Sequence, residues 1–311
     1  MVGGKEEVIV ERAYARVGLL GNPSDIYFGC TLALAVKQFE ACVTLVPNAE
    51  ASDPRVRVVP NLKLDLLEHC DIAALQANLQ DRGYHGGARL LLALLKVFAD
   101  ECQQRGIELF HREEKEEEKK DDDSGSGGRN SAASLGGSRG FSLSYESNVP
   151  FQVGLSGSSA IICAALRCLV RYYGVKERLV KAMLPNLMLR AENELGIVAG
   201  YMDRVIQVYG GLVYMDFDKE HFEKAGHGMY QQLDPKILPE ELYLMFQRED
   251  RKHKVKASGD SGRIHFTVRE RWLRGDADVH RAMQEFRSIA QEGKDLLLQR
   301  NKDKQGELAP P

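Results

Sequence analysis

The chain has 311 residues, with 42 Lys and Arg against 45 Asp and Glu for a formal net charge of −3. That length holds two packed layers or two domains, and the near balance of charge supplies no global field for nucleic acid or a membrane surface. No apolar run reaches a membrane span, the N-terminus lacks signal-peptide order, and six scattered cysteines (Cys30, Cys42, Cys70, Cys102, Cys163, Cys168) without C-x-x-C spacing fit a reducing, cytoplasmic setting.

In chain order, Glu7 to Ala15 reads as a strand entering the glycine-containing segment Arg16 to Gly29, and Thr31 to Val46 as a β-rich alternating strand. Leu62 to Gln80 and Gly87 to Gln104 have helical periodicity. The composition then shifts. His111 to Asp123 is almost wholly charged and Ser124 to Gly140 is rich in Gly and Ser, so residues 111–140 are expected to be a disordered insertion. Phe141 to Tyr145 resumes as a strand. Helices are predicted at Ser158–Tyr173, Glu177–Met183 and Leu184–Leu195, strands at Gly210–Phe217 and Leu242–Gln247, and a helical region from Ile264 to Leu298 interrupted at Arg274-Gly275-Asp276. Strands alternating with helices point to an α+β protein of two domains, here placed at 1–230 and 231–311.

The segment with most chemical content is Val149-Pro150-Phe151-Gln152-Val153-Gly154-Leu155-Ser156-Gly157-Ser158-Ser159-Ala160, followed at once by an apolar helix. Glycines let backbone N–H groups converge, and the start of the helix turns its unpaired N–H groups and positive dipole end into the loop. Such a loop cradles an anion, in the first instance a nucleotide phosphate. A plain helix N-cap would have the same composition. Neither the Walker Gly-Lys-Ser/Thr nor the dinucleotide G-x-G-x-x-G occurs.

Phosphoryl transfer also requires a metal site, a group that orients or deprotonates the acceptor, and positive charge. Glu192 and Asp203 flank the glycine-punctuated turn Gly196 to Gly200. Glu192 with a loop serine would suit Mg²⁺, a hard cation, leaving Asp203 as base. In the alternative reading Glu192 and Glu194 are ordinary exposed helix residues and Asp203 is a cap.

Pro-x-x-x-Gly-Leu-x-x-Ser-Ser-Ala resembles the phosphate loop of the GHMP small-molecule kinases, a family that includes galactokinase, homoserine kinase, mevalonate kinase and phosphomevalonate kinase. Arg16-Val17-Gly18-Leu19-Leu20-Gly21-Asn22-Pro23-Ser24-Asp25 is similar to the family's first motif, and the Glu192 to Asp203 spacing is similar to that of its Mg²⁺-binding Glu and catalytic Asp. Four stretches (ARVGLLGNPSDIYFG, GLSGSSAIICAAL, AENELGIVAGYMDRVIQVYGGLVYMDF and SGRIHFTVRERWLRGD) resemble the plant-type glucuronokinases within it.

The resemblance implies an ATP- and Mg²⁺-dependent kinase acting on the anomeric hydroxyl of D-glucuronate and feeding UDP-glucuronate synthesis. It implies catalytic Asp203 and Arg16, and phosphate binding by Gly154, Leu155, Ser156, Gly157, Ser158, Ser159 and Ala160. It further implies metal binding by Ser159 (then Ser158) with Glu192, and Asp25 on the sugar hydroxyls. A substrate carboxylate calls for a cation or amide donor, with Arg204, Arg263 and Arg269 as candidates. The expected partner is thus a small sugar acid, with neither nucleic acid nor membrane. The family's third, glycine-rich motif has no counterpart before Pro311, so a GHMP-like fold with a truncated ferredoxin-like C-terminal domain is expected. Two other readings stay open: a noncatalytic nucleotide- or sugar-binding protein, and a kinase for another sugar such as galactose or arabinose.

Overall fold

The computed structural model describes residues 7–50, 52–65, 86–109, 139–151, 153–246 and 261–307, with only the backbone of 261–266 and 304–307. Its centre is a six-stranded sheet organised around one long strand. β1 (Ile9–Leu20) and β2 (Cys30–Pro47) pair antiparallel along nearly their whole length, from Ile9 against Leu45 to Leu20 against Leu32. The other edge of β2 is shared. Its first residues, Cys30 to Leu34, pair with β5 (Leu212–Asp216), and its last, Ala41 to Pro47, pair with β4 (Phe141–Ser147). β3 (Arg57–Val58) adds to β4, and β6 (Met229–Leu233) adds to β5.

Helices cover both faces. α1 (Gly87–Gln104), α2 (Gly157–Tyr172) and α3 (Leu184–Asn193) close one core with β1, β2 and β4 around Leu91, Leu94, Phe98, Phe141, Leu143, Ile162, Leu166 and Leu169. α4 (Met202–Tyr209) packs Met202, Val205 and Ile206 against Ala33, Val213 and Met215. The short α5 (Lys219–Ala225) is capped by Asp218, which accepts from the His221 N–H. α6 (Ser261–Leu273) and α7 (Ala277–Glu307) follow, with Ala290 of α7 buried against Cys30, Leu32 and Tyr214. The expected division after residue 230 falls inside β6, whose ladder to β5 runs from Met229 to Leu233. Beyond Leu233 the described residues form a 3₁₀ turn and two helices and contain no strand.

Several expectations change here. Glu177–Met183 is two 3₁₀ turns, Lys176–Arg178 and Lys181–Met183, not a helix. Of the expected strand Leu242–Gln247, Gln247 lies outside the described residues and Leu242 to Phe246 has no strand partner among them; Tyr243 is 83% and Met245 92% exposed, so a continuous apolar run did not mean a buried strand. Arg139 and Gly140, placed in the insertion, are anchored: Gly140 donates to Asp53 O at 2.7 Å, and the Arg139 guanidinium donates to Asn48 O. The rest of 111–140 lies outside the described residues, as does most of Leu62–Gln80, of which Leu62 to Asp65 form a turn.

Candidate active site

The phosphate-type loop enters α2 through backbone that few side chains tolerate. Gly154 has φ +77° and needs its missing Cβ; Ser156, in the cap position, sits at φ +62°. The Ser156 hydroxyl gives α2 no cap. It donates instead to Asp203 Oδ2 at 2.7 Å. The leading N–H groups of the helix therefore keep no side-chain acceptor from their cap residue and face the loop, as an anion site requires. Gln152 lies outside the described residues.

Three distant segments converge on this point. Arg16, near the middle of β1, donates from Nε to Asp203 Oδ1 at 2.5 Å and from Nη1 to Gly154 O at 2.7 Å. Its main chain is fixed as well, the Arg16 N–H reaching Leu155 O at 3.3 Å. Asp203 lies in the first turn of α4, where the helix dipole favours its negative charge. Its side chain is 20% exposed and that of Arg16 14%, so the pair is half withdrawn from water with one side open. An exposed pair would be worth ~0–1 kcal/mol; here a third partner, Ser156, fixes the carboxylate's orientation. One turn beyond Asp203 along α4, Gln207 donates from Nε2 to Ser156 O at 2.9 Å. Gln207 was not anticipated, although its i, i+4 spacing from Asp203 puts both on one helix face.

On the other side of the loop, Ser158 Oγ donates to Glu192 Oε1 at 3.0 Å. Glu192 is 0% exposed, which overturns the reading of it as an ordinary surface residue; Glu194 is the exposed one and pairs with Lys96 at 2.8 Å. The serine beside the carboxylate is Ser158 and not Ser159. Ser159 is 1% exposed and donates back to Ser156 O at 3.3 Å within its own helix start, because one residue rotates the side chain about 100° around α2.

Two expected substrate contacts have partners within the protein. Arg204 is 2% exposed and turned inward, with Nη2 against Glu192 Oε2, Nη1 donating to Gly200 O at 2.7 Å, and Nη1 3.4 Å from Asp203 Oδ2. Burial, then the field of Arg16, pulls its guanidinium down to about 9, so it stays charged at neutral pH. Asp25 is 4% exposed and accepts the Met202 N–H at 2.9 Å, acting as a cap for α4 from a segment far away in sequence. Burial raises its carboxyl above the ordinary range against the lowering pull of that backbone bond.

Gly200 is the reason Asp25 can come so close. A Cβ at Gly200 would collide with the Asp25 carboxylate. Gly200→Ala is therefore expected to cost about 1–3 kcal/mol by overpacking, seen as a lower melting temperature, and to shift the start of α4 and with it Asp203. A variant melting with the wild type would show that the turn has slack.

The turn Ser24–Tyr27 that carries Asp25 is held from outside. Tyr27 packs with its ring centroid 4.9 Å from that of Trp272 of α6, tilted by 45°, and is buried with Val279 and Met283 of α7. Arg287 of α7 donates to Phe28 O at 2.9 Å while pairing with Asp216 at 3.4 Å. Arg269, on the same helix as Trp272, is exposed and ion-pairs with no carboxylate among the described residues; burial, then the charge of Asp25, raises the Tyr27 hydroxyl above its ordinary value, and the Arg269 charge pulls the other way. The side chain of Arg263 lies outside the described residues.

The family described as GHMP kinases N terminal domain matches residues 127–211. Glucuronokinase 1 of Arabidopsis thaliana is 41% identical over 98% of this chain and 73% of its own length, and Probable glucuronokinase 2 of the same plant is 40% identical over 96% and 71%. Lactococcus lactis galactokinase, solved with galactose, superposes with a TM-score of 0.56 at 14% identity, covering 99% of this chain and 74% of that one. L. major mevalonate kinase, solved with R-mevalonate, does so at 0.52 and 11%, covering 96% and 71%. These two show the fold alone. No helix among the described residues is long and apolar enough to cross a membrane. Identity at this level over nearly the whole chain means that the chain belongs to the GHMP kinases, phosphotransferases that use ATP to phosphorylate an alcohol group.

Proposed function

We propose that the protein is a sugar-1-kinase that transfers the γ-phosphoryl group of ATP to the anomeric hydroxyl of D-glucuronate, giving glucuronate 1-phosphate and ADP. The observation that carries this reading is Asp203, fixed by Arg16 and Ser156 at the mouth of the phosphate loop. The acceptor hydroxyl gives its proton to the Asp203 carboxylate as its oxygen bonds to the γ-phosphorus, and the bond to ADP breaks. Arg16 keeps Asp203 ionised beforehand and offsets charge as it develops. Gly154 to Ala160, with the open N–H groups of α2, hold the donor phosphates.

Ser158 and Glu192 fit a divalent cation. Both offer hard oxygen and they stand 3.0 Å apart beside the loop. Mg²⁺ held there would neutralise charge on the donor phosphates. With Arg204 committed to Glu192, we assign the substrate carboxylate to α6, to the exposed Arg269 first and to Arg263 next. A soluble, cytoplasmic enzyme with a small-molecule partner is the corresponding setting.

ADP formation that requires glucuronate together with Mg²⁺, and stops on chelation with EDTA, is the expected result. ADP release independent of added sugar, or turnover fastest with galactose or arabinose, would overturn the acceptor.

A further inference from the structure

The metal-side carboxylate already has a positive partner. Glu192 is 0% exposed and Arg204 2%, and the two are in direct contact. A buried carboxylate and a buried guanidinium each cost too much alone, so the two are found as a contact pair. Arg204 reaches further than Glu192. Its Nη1 also donates to Gly200 O and stands 3.4 Å from Asp203, so one guanidinium spans the metal-side and base-side carboxylates. Its remaining donor, Nε, is buried with no hydrogen-bond partner among the described residues. The group is thus held by charge rather than by a complete set of hydrogen bonds, and its tie to Glu192 can be loosened without breaking every contact it makes.

We propose that Arg204 is the resident counter-charge of Glu192, a positioning residue that holds the metal-binding carboxylate beside Ser158 until a divalent cation takes over. The inference rests on the reading of Glu192 as a metal ligand. A cation bound at Glu192 and Ser158 competes with Arg204 for one carboxylate and is repelled by it. Arg204 therefore stabilises the metal-free protein and weakens metal binding. Removing its charge should do the reverse on both counts.

The test follows the melting temperature of the full chain during Mg²⁺ titration at saturating ADP, a readout that needs no turnover. Arg204→Gln is expected to melt lower than wild type without Mg²⁺ and to reach half of its Mg²⁺-dependent rise at about tenfold lower Mg²⁺. Arg204→Lys, which keeps the charge on a shorter reach, should lie between the two. A half-point in both variants equal to or above the wild-type value would overturn the proposal. Should Arg204→Gln not fold, Arg204→Lys alone decides by the same criterion. Glu192→Gln separates this from the metal assignment. Loss of the Mg²⁺-dependent rise in that variant upholds Glu192 as ligand, whereas its persistence would sink the ligand assignment itself.

Discussion

Asp203→Asn is expected to lower kcat by about 10²–10⁴-fold, the range that general-base catalysis supplies, while the affinity for ADP stays close to that of the wild type. An amide keeps an oxygen for one of the two donors that now hold the carboxylate, Arg16 Nε at 2.5 Å and Ser156 Oγ at 2.7 Å, and so keeps much of the local geometry. It cannot take the acceptor's proton near neutral pH. The loop backbone that holds phosphate does not depend on the side chain's charge, which is why nucleotide binding is spared. Isothermal titration with ADP and a steady-state ADP-release assay together check the prediction. Normal turnover in Asp203→Asn would remove Asp203 as base. Loss of ADP binding would mean that the carboxylate is needed to shape the loop and not to move a proton.

Arg16 and Asp203 are coupled, and their single substitutions should not add. Once Asp203 is neutral, Arg16 no longer has a charged partner there, while its tie to Gly154 O remains. Double mutants of such units characteristically lose little more than the worse single one.

Much of this arrangement could be read along the chain, and the exceptions share a cause. Gly87–Gln104 forms a helix with the bounds its periodicity marks, and the break at Arg274-Gly275-Asp276 is where α6 gives way to α7, with Gly275 at φ +78°. Both signals are local. The first turn of α4 is not. It follows a glycine-containing stretch and has no cap of its own, and its carboxylate cap is Asp25, supplied by a different strand connection. For the same reason Asp25 reads in sequence as a polar residue free for a ligand, and Arg204 as a surface cation. Only the fold shows that both are spent inside. Ser158 and Ser159 are chemically identical in sequence. Their difference is an angle around α2, fixed once the αL conformation of Ser156 sets where that helix begins. Leu242 to Phe246 fails in the opposite sense, since local hydrophobicity there finds no β-ladder among the described residues.

Arg269 carries the second large expected effect, one of selectivity. A charge-assisted hydrogen bond to a carboxylate is worth about 1.5–3 kcal/mol, or roughly 10–150-fold in an equilibrium or rate ratio. Arg269→Ala is therefore expected to lower kcat/KM for glucuronate by about that factor while leaving a neutral sugar's slower turnover nearly unchanged. The effect should appear in KM if the contact is equally strong in ground and transition states, and in kcat if it serves to align the anomeric hydroxyl with Asp203. Stability should change little, since Arg269 is exposed and ion-pairs with no carboxylate among the described residues. Arg271→Ala is the matched control on the same helix. Arg271 pairs with Asp276 at 2.8 Å and caps the α6–α7 turn, so its loss should lower melting without changing the preference for an acid over a neutral sugar. An Arg269→Ala enzyme that still prefers glucuronate by the wild-type ratio would place the carboxylate elsewhere. Arg263, one turn and a half earlier on α6, would then be the next residue to replace.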